Sequence, residues 1–214
     1  MVYDIAALQN LYGVDSQQNT GNTLYTFDST PFYRTIWDAG GVDTLDFSAT
    51  THPNLVRLTS GSYSNVNYRD MNTQIIEQQQ WYKAQGVDYA DSFVMSSLQE
   101  IETLLYTGEQ ALGIAYGAVI ENVIGGSAND VFYDNAVDNQ LWGGAGDDVF
   151  YLGAGGYDYI DGGEGEDALM LSLNYQQIQL DYGSEAIVIV GTTFAVSLVS
   201  VERLVFLDQT LVIS

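Results

Sequence analysis

Acidic side chains and glycines recur together between Ile124 and Met170, and their spacing suits one chemistry, the caging of a hard divalent cation by oxygen atoms. The stretch reads as five phrases, GGSANDVFY, DNAVDNQLW, GGAGDDVFY, GAGGYDYID and GGEGEDALM, of nine residues each apart from one extra residue, Leu152. Glycines such as Gly126, Gly143, Gly144, Gly146, Gly153, Gly155, Gly162, Gly163 and Gly165 let a loop adopt positive φ and turn its carbonyls inward. The sixth place of each phrase then supplies a side-chain oxygen from Asp130, Asn139, Asp148, Asp158 or Asp167. Alternating residues such as Val149, Phe150 and Tyr151 follow, sending one apolar side chain inward and the next outward. This is the grammar of a calcium-loaded parallel β-roll, in which two phrases make one turn. Asp130 is therefore expected above Asp148, Asp148 above Asp167, and Asn139 above Asp158. A flexible Gly/Asp-rich loop is the plain alternative, and the joint recurrence of period and apolar filling argues against it.

A second candidate lies upstream, where Asp38 and Asp43 flank the pair Gly40 and Gly41 and a strand leads away through Leu45 and Phe47. Alone, this spacing is only moderately specific, because Asp and Gly also build ordinary turns. Bulk composition points the same way. The chain of 214 residues carries 28 acids against 5 bases, a formal charge of −23, with 46% hydrophobic residues. Eleven acids fall within Glu121 to Asp167, and no Lys or Arg lies between Lys83 and Arg203. Multivalent cations are the economical way to let such a chain compact. The charge argues against nucleic acid and against anionic lipid as partners. Cysteine is absent, so disulfides and thiol redox chemistry are excluded. The start MVYDIAALQNLYG has neither a basic region nor a long apolar run, and no window approaches a membrane span.

The positioning elements read as follows. Asp4 is expected to cap a short helix, Ile5 to Tyr12, with Ile5, Leu8 and Leu11 on a core-facing side and Gly13 as its stop. Residues 72 to 85 and 92 to 106 read as two helices, with Asp91 capping the second and Gly86 and Gly108 as stops. Val94, Leu98, Ile101 and Leu105 form an apolar stripe on the second. The expected architecture is mainly β, a right-handed parallel β-roll with flanking, sandwich-like strands, a short N-terminal helix and an inserted helical hairpin. A single domain is expected, divided into 1–69 with the first calcium site, the hairpin at 70–112, the roll at 113–170, and closing strands at 171–214.

The segments DIAALQNLYG, NTGNTLYTF, WDAGGVDTLDFS, GSYSNV, IAYGAVIENVIGGSANDV and the GGAGDD repeats, in that order, resemble the C-terminal calcium-binding (RTX, repeats-in-toxin) domain of serralysin-type metalloproteases. The resemblance covers roughly residues 1 to 69 and 113 to 170. It implies a first calcium held by Asn19, Gly21 and Thr23 with Asp38, Gly40, Gly41 and Asp43. It implies further ions between loops containing Glu121, Gly126, Ala128, Asp130, Asn135, Val137, Asn139, Gly143, Gly144, Ala145, Gly146 and Asp148, many of them backbone ligands. Ala128 and Ala154 stand where the repeat has glycine, and Leu152 breaks the register. The zinc motif H-E-x-x-H-x-x-G-x-x-H of the family's proteases is absent, and the lone histidine, His52, sits in the turn sequence THPN as an expected surface residue.

The leading functional expectation is a calcium-binding module that folds on taking up several Ca2+ ions and supports secretion, stability or partner binding. Export through a type I exporter is implied, with VERLVFLDQTL similar to segments that follow calcium repeats in exported proteins and Asp208 before Leu211, Val212 and Ile213 resembling a terminal export signal. An ordinary closing strand is the competing reading there. An alternative from another class is a small enzyme or ligand binder with a pocket between hairpin and roll. Trp81, Tyr82, Tyr89, Phe93 and Met95 would line it, and Asp88, Glu100, Glu102 and Tyr106 would be its acid–base groups. A third is an adhesin or surface-layer piece.

Overall fold

The structure, a computed structural model, describes residues 1–87, 91–99, 105–153, 155–183 and 186–213. In chain order the elements open with α1 (Val2–Tyr12), β1 (Leu24–Asp28), β2 (Arg34–Ile36), β3 (Thr44–Ala49), β4 (Leu55–Arg57), β5 (Tyr63–Ser64), α2 (Met71–Ala84) and α3 (Asp91–Gln99). The roll follows as β6 (Leu112–Ile114), β7 (Asn122–Ile124), β8 (Val131–Tyr133), β9 (Gln140–Ala145), β10 (Val149–Leu152), β11 (Gly156–Glu164) and β12 (Ala168–Leu171). The chain closes with β13 (Gln179–Tyr182), β14 (Ile187–Val190), β15 (Phe194–Val199), β16 (Arg203–Val205) and β17 (Thr210–Val212).

Successive strands of the roll alternate between two sheets. One sheet has the order β1-β3-β7-β9-β11-β15-β14-β13, the other β17-β16-β12-β10-β8-β4, and a small third sheet joins β2, β6 and β5. Pairing is parallel through the coils and turns antiparallel at β13, β14 and β17, where hairpins finish the chain. This is a parallel β-roll with flanking strands. Parallel strands need both faces covered, and here each sheet covers the other.

The register explains the core. Val56, Phe132, Phe150, Leu169 and Leu204 are successive partners in one sheet. Tyr25, Leu45, Val123, Leu141, Ile160 and Leu198 are successive partners in the other. Both columns belong to one buried core, in which Phe132 and Phe150 stack with ring centroids 5.1 Å apart. The extra Leu152 is absorbed as the last residue of β10, opposite Leu171 and buried, so the register breaks only in the loop that follows.

Two helical expectations need correction. α1 starts at Val2 with Met1 as its cap, Asp4 lies inside the first turn, and Leu8 and Leu11 are exposed while Val2 is buried. The stripe read from sequence is therefore not the packed side; Val2 is the residue that reaches the roll, where a Cβ on Gly113 of β6 would meet its side chain at 2.6 Å. Gly13 does end the helix, at φ 87° with its N–H on the Gln9 carbonyl. α2 begins one residue earlier than read, capped by Asp70, whose carboxylate accepts from the Thr73 N–H at 2.8 Å. In α3, Asp91 is the first helical residue, and residues 105 and 106 are not helical. The chain there has already returned to the roll, where the Thr107 and Gly108 carbonyls accept the Arg69 and Val66 N–H groups at 2.9 Å. Ile101 and the rest of 100–104 lie outside the described residues. Val94 is buried and Leu98 half-buried.

His52 is not a free surface residue. Its Nε2 pairs with Glu77 of α2, and Arg69 holds the second Glu77 oxygen at 3.4 Å. This half-buried triad ties the helical segment to the loop before β4.

Candidate metal centre

The register that stacks the apolar core also stacks the polar loop ends, because each inward apolar residue lies two places after a loop-ending one. On one edge of the roll this gives the column Asn54, Asp130, Asp148, Asp167 and Glu202. On the other it gives Thr23, Asp43, Glu121, Asn139 and Asp158, ending at Val196. A repeated hydrogen bond zips the columns, in which a backbone N–H donates to the carboxylate one coil further on; at the Glu121–Asn139 step of the second column the Asn139 amide donates instead to the Glu121 carbonyl at 2.9 Å. In the first column Asn54 N–H donates to Asp130 at 2.7 Å, Asp130 N–H to Asp148 at 2.7 Å, Asp148 N–H to Asp167 at 2.8 Å, and Asp167 N–H to Glu202 at 2.8 Å. In the second Thr23 N–H donates to Asp43 at 2.8 Å, Asp43 N–H to Glu121 at 2.7 Å, and Asn139 N–H to Asp158 at 2.9 Å.

One oxygen of each carboxylate is thus committed. The other is often left over: Oδ2 of Asp43, Asp148, Asp158 and Asp167 is buried with no hydrogen-bond partner. Burial of unpaired charge costs several kcal/mol. Burial pushes the Asp148 carboxyl up to about 8, with the Asp130 and Asp167 charges adding to it. Burial likewise raises Asp158 to about 7 and Asp43 to about 6, and holds Asp130 and Asp167 above the ordinary carboxylate range. These shifts describe groups that lack a countercharge.

The glycines complete the cradle. A Cβ on Gly143 would be driven onto the Asp148 carboxylate and the Gly162 carbonyl. Gly163, at φ 98°, would meet the Gly144 carbonyl of the coil above. The carbonyls of Gly126, Gly144, Gly146 and Ala128 face glycines of neighbouring loops in the same way. Ala145 sits in this loop with its N–H on the Gly126 carbonyl. Gly165 of the next coil faces Gly146.

The upstream cluster comes together around Tyr25. Asn19 donates its amide to the Tyr25 hydroxyl at 2.9 Å, and that hydroxyl donates to Asp38 at 2.7 Å. Burial and the Asp38 contact push the Tyr25 phenol up to about 12. Gly40 N–H donates to Asp38, Thr23 Oγ1 donates to the Gly21 carbonyl at 3.0 Å, and Gly41 abuts that same carbonyl.

Asn135, Val137, Gly153 and Gly155 line the other edge. Asn135 turns its amide inward, donating to the Leu58 and Ile120 carbonyls at 3.3 and 2.8 Å, while Val137 presents its carbonyl to Gly156. Gly153 donates to Asp134 at 3.1 Å and Gly155 lies near the Thr193 carbonyl, so in the loop after Leu152 the contact with the previous coil is carried by Gly156, at φ 102°. Ala154, Asp88, Tyr89, Glu100 and Glu102 lie outside the described residues. Tyr106 is packed against the core, its ring edge-on to Tyr33 at 5.5 Å.

Sequence reading missed Asn54 and Glu202, the ends of the first column. Their only signal is the two-residue step to an inward apolar side chain, Asn54 to Val56 and Glu202 to Leu204, with no glycine loop in front.

A bound cation fits these residues. Among the described residues no three carboxylate or imidazole groups converge on one point, so a metal here would draw most of its ligands from backbone carbonyls. An all-oxygen donor set with mixed carbonyls and carboxylates is the preference of Ca2+. If the leftover carboxylates lack a cation, acid should replace it. A raised folded-state pKa means that stability is fully present below the unfolded value, near 3.9, and is lost as pH rises through the folded values. The calcium-free chain is expected to show more β-sheet circular dichroism at pH 4 than at pH 8, the window set by Asp43, Asp158 and Asp148. A calcium-free spectrum equally sheet-poor at both values would contradict it.

The geometry defines a calcium-binding β-roll of the repeats-in-toxin class, and the family model for the RTX calcium-binding nonapeptide repeat (4 copies) matches residues 124–157 and 153–172. The model described as Peptidase M10 serralysin C terminal matches residues 3–110, and the chain belongs to that family. It is 36% identical over 153 residues to Serralysin G of Dickeya chrysanthemi, covering 65% of this chain and 24% of that protein. It is 31% identical to Serralysin of Proteus mirabilis, covering 66% and 23% respectively. Metalloprotease AprA of Pseudomonas entomophila is 33% identical, with 64% and 23% covered. The chain thus spans about a quarter of the length of the curated relatives it matches. Among solved structures, extracellular lipase LipA from Serratia marcescens overlaps 55% of this chain and 23% of its own at 15% identity and a TM-score of 0.37, a level that carries no argument. No helix among the described residues is long and apolar enough to cross a membrane.

Proposed function

We propose that the chain is a module whose folding is driven by calcium and which lends that property to a larger secreted assembly. The observation that carries this reading is the set of buried carboxylate oxygens without partners, Oδ2 of Asp43 and Asp158 in one column and of Asp148 and Asp167 in the other, beside backbone carbonyls of the neighbouring glycine loops. Each gap between coils would take one ion, held by the column carboxylates and by carbonyls of the glycine loops. The site residues named from sequence act in this reading as two edges, 19–43 with Glu121, Asn139 and Asp158 on one, and 126–130, 143–148 and 162–167 on the other. Each ion present at about 100 times its dissociation constant adds roughly 2.7 kcal/mol, so a few ions supply a stability comparable to that of a whole domain.

Calcium is scarce in the cytosol and millimolar outside, so loops of moderate affinity stay empty before export and fill afterwards. The module would leave the cell as loose chain through a type I exporter and fold outside. Division into an N-terminal segment with the first ion, a helical insert, the roll and closing strands is part of the same proposal. Trp81, Phe93 and Met95 of the insert are exposed and would serve as a surface for a partner domain or small ligand. Counting bound calcium by native mass spectrometry tests the reading. Roughly three or more ions per chain are expected from the gaps described; a chain that takes none, or only one, would overturn it.

A further inference from the structure

The first column continues past the repeats. The family repeat ends at residue 172, yet Glu202 occupies the next step of the column, since Ala168 pairs with Arg203 as Val149 pairs with Ala168. Glu202 accepts the Asp167 N–H at 2.8 Å, the bond Asp167 itself accepts from Asp148 one coil earlier. One carbonyl of that environment is reproduced too. The point where a Gly162 Cβ would sit lies against the Asp167 carboxylate and the Ser200 carbonyl, just as the Gly143 point lies against the Asp148 carboxylate and the Gly162 carbonyl. Ser200 has φ 49°, a left-handed conformation rare for serine, at the place in its loop where Gly146 and Gly165 are also left-handed. The turn from β15 to β16 has three residues where the repeat loop between the same register points has six, and Ser200 brings its carbonyl to the place that Gly162 fills one coil earlier.

Asp167 is fully buried, and its Oδ2 has no hydrogen-bond partner. No ion pair among the described residues involves Asp167 or Glu202. The nearby Arg203 guanidinium donates instead to the Glu166 carbonyl at 3.3 Å. Two carboxylates and a carbonyl thus meet at one gap with no cation from the protein to balance them.

We propose that this gap is a terminal calcium site outside the nonapeptide repeats, with the Asp167 and Glu202 carboxylates and the Ser200 carbonyl as its protein ligands. It rests on reading the columns as calcium sites. Having fewer inward carbonyls and a half-buried Glu202, it keeps more water in its coordination shell and fills last. Its ion ties the returning chain, β15 to β17, to the final repeat, so the closing strands lock only when calcium is high.

Calcium counting on the full chain and on Glu202→Gln tests this. Glutamine keeps an acceptor oxygen for the Asp167 N–H and removes only the charge, so at saturating calcium the sheet signal of the repeats should persist while the closing strands β15 to β17 are left less firmly held. The variant is expected to bind one ion fewer, the loss falling on the weakest step of the titration. Glu202→Asp, with its charge kept, should retain the ion and weaken that step alone. Loss of no ion in Glu202→Gln, or of more than one, would overturn the terminal site. A native chain that binds no calcium would instead remove the reading of the columns on which it rests.

Discussion

Asp148→Ala is expected to weaken calcium binding more than any other single change in the roll. Asp148 stands in the middle of its column, where one carboxylate oxygen accepts the Asp130 N–H of the coil above and the other lies beside the Gly162 carbonyl of the coil below. In the proposed reading, alanine removes a ligand from the gaps on both sides. It also leaves the buried Asp130 N–H without an acceptor, a loss of about 1–3 kcal/mol by itself. Two ions forfeited at about 100 times their dissociation constants add roughly 2.7 kcal/mol each, which together approach the 5–15 kcal/mol that holds a domain folded. Asp43→Ala should be milder for the roll, because Asp43 lies between the N-terminal Thr23 and Glu121, near the start of the other column. Calcium titrations followed by thermal unfolding would compare the two. Equal losses of affinity and stability would mean that the carboxylates act singly, without shared gaps.

The comparison of columns also shows what a sequence exposes. The phrases from Gly125 to Met170 are legible because glycine, acid and inward apolar residue repeat locally, so Asp130, Asp148 and Asp167 could be stacked on paper. The ends of the same column are not legible. Asn54 lies 76 residues from Asp130, and Glu202 lies 35 from Asp167, so neither shares a local pattern with its neighbour in space. Helix α1 failed for a related reason. Its Ile5, Leu8 and Leu11 stripe has helical spacing, but which side is buried depends on where Val2 meets the sheet around β6. Periodicity says that a helix has a side, and tertiary contact decides which side is used. His52 was similarly opaque: a histidine in a turn gives no hint of Glu77 waiting on a helix 25 positions away, which only the fold brings within reach.

The helical segment shows the limit in the other direction. Its two helices were readable from Gly86 and from the Val94 spacing, yet no described residue of the segment adds a carboxylate to either column. Its known tie to the roll is the triad of Glu77 with His52 and Arg69. The calcium account therefore stands or falls without it.

The most direct test of that account is removal of calcium with a chelator, read by far-ultraviolet circular dichroism and small-angle scattering. Metal removal should abolish most of the β-sheet signal at neutral pH, and the radius of gyration should move from about 17 Å toward the roughly 50 Å of an unfolded chain of this length. Both should return when calcium is restored, as the proposal that cations sit between the buried carboxylates requires. An unchanged spectrum and an unchanged radius in the chelated protein would contradict it.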